Sequence, residues 1–259
     1  MNAPDASLIE VGWLLMLIPL GVVLGIGAFV IYGVWRRRLF DGFFFDDVPG
    51  DATGVLEAAK FAAGLAVFER PARWLAVKSR NAGAVQAALD LRQPAPCSWE
   101  ECLAETGAGK LFVSQPISGW VLVAGQGLPD PAEDVDVCYR FLRALSRKLG
   151  NVQFYSVNRV LNHHAWALLE DGVVYRAYAW AGRTLWNEGF VTAAEKELGM
   201  VCFDYGCDSG VPAYGELAAE DTEKLNRLAG RWSLDPAAIP ASVWRCQGVV
   251  GSVSQSRLY

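Results

Sequence analysis

The sequence predicts an α+β protein: a single N-terminal transmembrane helix, then a globular domain with a largely antiparallel sheet flanked by helices. Three observations carry this. Val11 to Trp35 is an unbroken apolar run with no ionisable side chain except the Tyr32 phenol, and Arg36, Arg37 and Arg38 follow it directly. Between Val152 and Ala181 three β-prone runs are joined by short turns, one of them Asp171-Gly172. Ala132 to Leu149 has the apolar period and end charges of an amphipathic helix.

At about 1.5 Å rise per residue the apolar run crosses a bilayer core as a tilted helix. Asp5 and Glu10 precede it without a Lys or Arg, and three arginines follow, so the positive-inside rule places the N-terminus outside and the large domain in the cytoplasm. The missing basic n-region and the length of the run argue against a cleaved signal peptide. Gly21 and Gly25 form a small-xxx-small pair suited to a homodimer within the membrane. The organisation that follows is a tail (1–10), the transmembrane helix (11–35), a basic and aromatic juxtamembrane linker (36–50), the domain (51–240) and a loosely structured tail (241–259). Within the linker, Phe43, Phe44 and Phe45 suit either the headgroup level or the underside of the domain.

A helical stripe runs from Thr53 through Leu65 and stops at Pro71. Arg73 to Ser79 follows as a strand, then a helix capped by Asn81 and ended before Pro94 and Pro96. Ser98 and Glu101 make a capping box with Cys97 and Cys102 at its staple positions. Lys110 to Ile117 and Gly119 to Gly125 predict strands. Gly150 is the C′ residue of the Ala132–Leu149 helix. Thr192 and Glu195 form a second capping box, Cys202 to Gly215 suggests a glycine-rich loop, and Glu220 to Ala229 a last helix.

With a net charge of −5 the 259-residue chain is a poor nucleic-acid binder. A two-residue Asp171-Gly172 turn pairs Leu169 with Val174, Ala167 with Arg176, Ala165 with Tyr178 and His163 with Trp180. A tight Leu161-Asn162 turn pairs Ala165 with Asn158 and Ala167 with Ser156. Strand alternation then gathers Ser156, Asn158, His163, Arg176 and Tyr178 on one face, with His164, Trp166 and Val157 on the other. That face suits binding, with Arg176 for an anion and His163 as acid or base; a solvated or partner-facing sheet surface is the plainer account of it. A register slip of one residue would break the grouping.

Adjacent on a strand, His163 and His164 point to opposite faces and cannot chelate one metal. The six cysteines include two pairs at a four-residue gap, Cys97/Cys102 and Cys202/Cys207, wider than the usual C-x₂-C zinc knuckle, and buried cytoplasmic thiols account for them. Gly125-Gln126-Gly127 and the GAGK of Gly107–Lys110 both lack the remaining residues of a phosphate loop, so neither cofactor nor metal is implied.

The segments LFVSQPISGWVLV, VQFYSVNRVLNHHAWALLEDGVVYRAYAWAG, LWNEG and RWSLDP resemble a group of bacterial proteins with no assigned activity. The likeness spans about Ala95 to Pro236 and carries no residue roles. The architecture is also similar in style to bacterial toxin-immunity domains. Together these features lead to the expectation of a single-pass protein of the bacterial inner membrane whose cytoplasmic domain binds another protein, as an immunity or adaptor protein. The alternatives are a hydrolase or transferase built around His163 and Arg176 with a nearby serine or cysteine, and a scaffold subunit of a membrane complex.

Overall fold

The structure is a computed structural model, and it describes residues 72–98, 109–208, 210–239 and 248–253. The expected transmembrane helix (11–35), the Gly21/Gly25 pair, the linker, the helix from Thr53, the Ser98–Glu101 capping box, Cys102 and Cys246 lie outside those residues. Among the described residues no helix is long and apolar enough to cross a membrane.

The strands are β1 (Ala72–Lys78), β2 (Arg92–Cys97), β3 (Lys110–Val113), β4 (Trp120–Ala124), β5 (Val152–Asn158), β6 (His163–Glu170), β7 (Val173–Trp180), β8 (Thr184–Gly189) and β9 (Gly248–Ser252). They form one sheet in the order β2-β9-β3-β4-β1-β5-β6-β7-β8, every neighbouring pair antiparallel. The helices are α1 (Ala82–Ala88), α2 (Val135–Leu149), α3 (Ala193–Glu197) and α4 (Pro212–Trp232), with a short 3₁₀ turn at Pro236–Ala238. The expected α+β class and antiparallel sheet are therefore observed.

Each face of the sheet is apolar, which is why helices cover both. Leu75, Val77, Phe154, Ala165, Ala167, Ala177 and Ala179 face α1 and α2, packing on Val85, Cys138, Leu142 and Leu145. The small alanines let α2 lie close. The opposite face carries large rings, Trp74, Tyr155, Trp166 and Tyr178, under α4 residues Ala218, Leu225, Leu228 and Ala229. Trp74 stacks on Tyr155 at 5.1 Å between centroids, and Trp166 meets Tyr178 at 4.9 Å.

Local signals hold where the chemistry is local. Asp134 caps α2 by accepting from Val137 N, and Gly150 ends it at φ +78°. Asp171 and Gly172 both have positive φ, +51° and +81°, as a type I′ turn requires. The Ser146 hydroxyl accepts from Gly172 N and donates to Gly150 O, tying the end of α2 to that turn.

Several expectations are corrected. The region 241–259, expected as a loose tail, contains β9, which lies inside the sheet between β2 and β3. Pro94 and Pro96 do not merely end a helix; they sit in β2, an edge strand where missing N–H donors deter further pairing. α4 begins at Pro212, not at the expected Glu220, so it absorbs the last four residues of the expected glycine-rich loop. The other edge, β8, is covered as well: the Tyr205 hydroxyl accepts from Asn187 N at 2.8 Å, and Asp208 bridges to Arg183.

Candidate functional site

The expected polar face does not survive intact. β5 and β6 pair Asn158 with His163 and Ser156 with Ala165, two residues from the expected register, which preserves the face. Between β6 and β7 Glu170 pairs with Val173 and Leu169 with Val174, the latter as expected, but the next pair is Leu168–Arg176. Tyr175 is the extra residue of a β-bulge, and one inserted residue moves everything beyond it to the other face. Ser156, Asn158 and His163 therefore lie on the α2 face, whereas Arg176 and Tyr178 lie on the α4 face, both fully buried. A single site combining His163 with Arg176 is not formed.

On the α2 face, at the β5–β6 turn end, lies an open cleft of about 440 Å³, solvent included. Ser156, Asn158 and His163 line it together with Arg73, Gln126 and Asp130. Arg73 stands opposite Ser156 across the β1–β5 pairing. Its guanidinium meets Asp130 Oδ2 at 2.9 Å and donates to the Gln126 backbone carbonyl at 3.4 Å and to the Gln126 side-chain oxygen. Asp130 Oδ1 accepts from Ala132 N at 2.9 Å, which fixes the carboxylate in the loop before α2. Asn158 Oδ1 accepts from Leu161 N at 3.2 Å, holding the four-residue turn and leaving its amide N–H groups unused by that bond. Burial lowers the His163 pKa from the ordinary imidazole value, and the Asp130 charge works in the other direction. Arg73, Gln126 and Asp130 escaped sequence analysis because they reach the cleft from β1 and from the β4–α2 loop, far off in the chain.

His164 points the other way, as expected. Its Nδ1 lies 2.8 Å from Thr222 Oγ1, whose own hydrogen is directed to Ala218 O, so Nδ1 carries the imidazole proton. Nε2 has no hydrogen-bond partner, and burial pushes the pKa down to about 3. This histidine is a neutral packing residue stacked on Trp166.

Arg176 is instead the centre of a buried lock. Its Nε donates to Glu195 Oε1 at 2.8 Å with both side chains fully buried. Its remaining N–H groups reach Asn187 Oδ1, the Glu188 and Gly189 carbonyls and Cys202 Sγ. Glu195 Oε1 also accepts from Trp166 Nε1, and Oε2 accepts from the Thr192 backbone and hydroxyl, completing the expected capping box. Burial raises the Cys202 thiol to about 12 despite the neighbouring guanidinium, so it stays protonated. Burial likewise raises the Tyr178 phenol to about 12; its oxygen accepts from Phe203 N.

What this lock fixes is the segment after β8. Gly189 adopts φ +79°, and a Cβ there would fall 2.1 Å from the Tyr175 carbonyl oxygen, so only glycine fits. The next residue, Phe190, is 94% exposed, with half-exposed Tyr175 on the neighbouring strand and Val191 beside it.

Among the described residues no group of three or more His, Cys, Asp or Glu could hold a metal ion, and Cys97, Cys138, Cys202 and Cys207 are free thiols. No family model, curated protein or solved structure matches the chain.

Proposed function

We propose that the protein is a membrane-anchored, cytoplasmic protein-binding domain whose main contact residue is Phe190. The anchor is the Val11–Trp35 segment, on the sequence grounds given above. One observation supports the binding role most: an almost completely exposed Phe on a segment held from both sides. Arg176 holds the carbonyls of Glu188 and Gly189 before it, and Glu195 holds Thr192 after it. An exposed aromatic ring is unfavourable in water, whereas a rigidly presented one loses little entropy on entering a partner's pocket. Glu188 next to it disfavours an anionic lipid surface as the target.

An immunity or adaptor protein uses such a contact, as does a scaffold subunit. The lock also explains why Arg176 serves positioning and not anion binding: it is fully buried and each of its three guanidinium nitrogens is already engaged.

The test is Phe190→Asp in the full-length chain, purified from its native membrane. Loss of a co-purifying protein by about 30-fold or more, the hot-spot scale, with an unchanged unfolding midpoint, is the expected outcome. Recovery of the same protein in the same yield would refute the proposal.

A further inference from the structure

The Ser156–Asn158–His163 cleft lies at the end of the sheet opposite Phe190, and nothing in the binding role above uses it. From the side chains that line it, we propose that this cleft binds a small, uncharged, hydroxyl-rich molecule such as a sugar or polyol.

The charge argument comes first. Arg73 is the single cation among the described residues that line the cleft, and its two terminal nitrogens are engaged by Asp130 and Gln126. An anion would have to displace the carboxylate at 2.9 Å from a side chain that is 14% exposed. Asp130 is the single carboxylate among the described lining residues, and Arg73 already compensates it, so a cation gains little from entering. His163 contributes no charge near neutrality, because burial shifts its equilibrium toward the neutral ring. The cleft is thus electrically balanced before any ligand arrives.

The hydrogen-bonding argument selects hydroxyls. Neutral His163 offers one N–H and one ring-nitrogen lone pair, the Ser156 hydroxyl donates and accepts, and Asn158 offers amide N–H groups. Asp130, with 30% of its side chain exposed, keeps lone pairs beyond those used by Arg73 and Ala132 N. These groups present donors and acceptors along one cleft, and a hydroxyl answers both at once. Between them the wall is small and apolar, Ala72, Ala179 and Leu185, which suits the C–H surface of one ring.

The test uses the full chain, ¹³C-labelled at histidine, in a detergent without a sugar headgroup and a buffer without glycerol. D-glucose is the hydroxyl-rich probe, sodium phosphate the anion and ethylammonium the cation, at matched ionic strength. The chain has two histidines, so the two imidazole signals are assigned with His163→Gln. The expected result is a saturable shift of the His163 signal with glucose in the millimolar range, and an unmoved His164 signal. Ser156→Ala and Asn158→Ala each weaken it about tenfold, the scale of one lost hydrogen bond. The His164 signal serves as the fold control for each variant, because it reports the packing under α4. A saturable shift with phosphate or ethylammonium and none with glucose would overturn the proposal. So would the absence of a saturable shift with any probe up to about 100 mM.

Discussion

Glu195→Gln is the most informative perturbation of the fold, because it removes a charge and almost nothing else. The wild-type carboxylate accepts five hydrogen bonds in a site with no solvent access: from Trp166 Nε1, Arg176 Nε, Thr192 N, the Thr192 hydroxyl and, at 3.7 Å, the Cys202 thiol. A carboxamide has one acceptor oxygen. If that oxygen serves Trp166 and Arg176, the amide nitrogen can donate to the Thr192 hydroxyl but must confront the Thr192 N–H. One buried donor is then orphaned, at about 1–3 kcal/mol, and the guanidinium loses its counter-charge. Breaking a buried pair from one side costs about 3–5 kcal/mol in total. Against a domain stability of roughly 5–15 kcal/mol this is large, and with a urea slope of about 2 kcal/mol per molar it moves the midpoint down by about 2 M. The assay is urea unfolding of the full-length chain followed by tryptophan fluorescence. A Glu195→Gln variant within about 1 kcal/mol of wild type would refute the reasoning.

Two further outcomes are expected. Asp221 is fully buried, accepts from Val201 N at 2.7 Å and lies 3.3 Å from Lys224 Nζ; burial nonetheless raises its pKa to about 6. The folded state therefore binds this proton more tightly than the unfolded one, and stability falls as pH rises from about 4 to about 6, by up to roughly 3 kcal/mol. Unfolding free energies of wild type minus Asp221→Asn should show that fall and flatten above it; a difference that rises with pH would contradict the assignment. Second, in a Cys102→Ser/Cys246→Ser background, a membrane-impermeant thiol reagent should label nothing in intact cells. After permeabilisation it should label Cys207, which is partly exposed, well ahead of Cys202, whose sulfur is held by Arg176 and whose thiol burial keeps protonated, and leave the buried Cys97 and Cys138 until denaturant is added. Labelling in intact cells would reverse the orientation.

The parts of the fold legible in the sequence are those decided by a few neighbouring residues. The Asp171-Gly172 turn, the Asn81 and Thr192 caps and the opposite-facing histidines follow from local geometry, and they are found; the Asp134 cap was not, since the helix was expected from Ala132 and begins at Val135. The bulge at Tyr175 was not legible. The run VVYRAYAW alternates equally well on either side of an inserted residue, and the choice falls to burial: it sends Arg176 and Tyr178 to the α4 face, where Glu195 and Phe203 satisfy them. β9 was missed because GVVGS carries its signal only through β2 and β3, far off in the chain. The same distance hid Arg73 and Asp130. Half of the expected polar face is thus a cleft, and the other half is the support for Phe190.

The most direct test of the central claim is site-specific photocrosslinking in living cells, with a photoreactive phenylalanine analogue at position 190 and, as control, at Glu216, which is exposed on α4. The account predicts a discrete protein adduct at 190 in the membrane fraction, absent at 216 and lost when Glu195→Gln loosens the segment. No adduct at 190, or the same adduct from both positions, would contradict it.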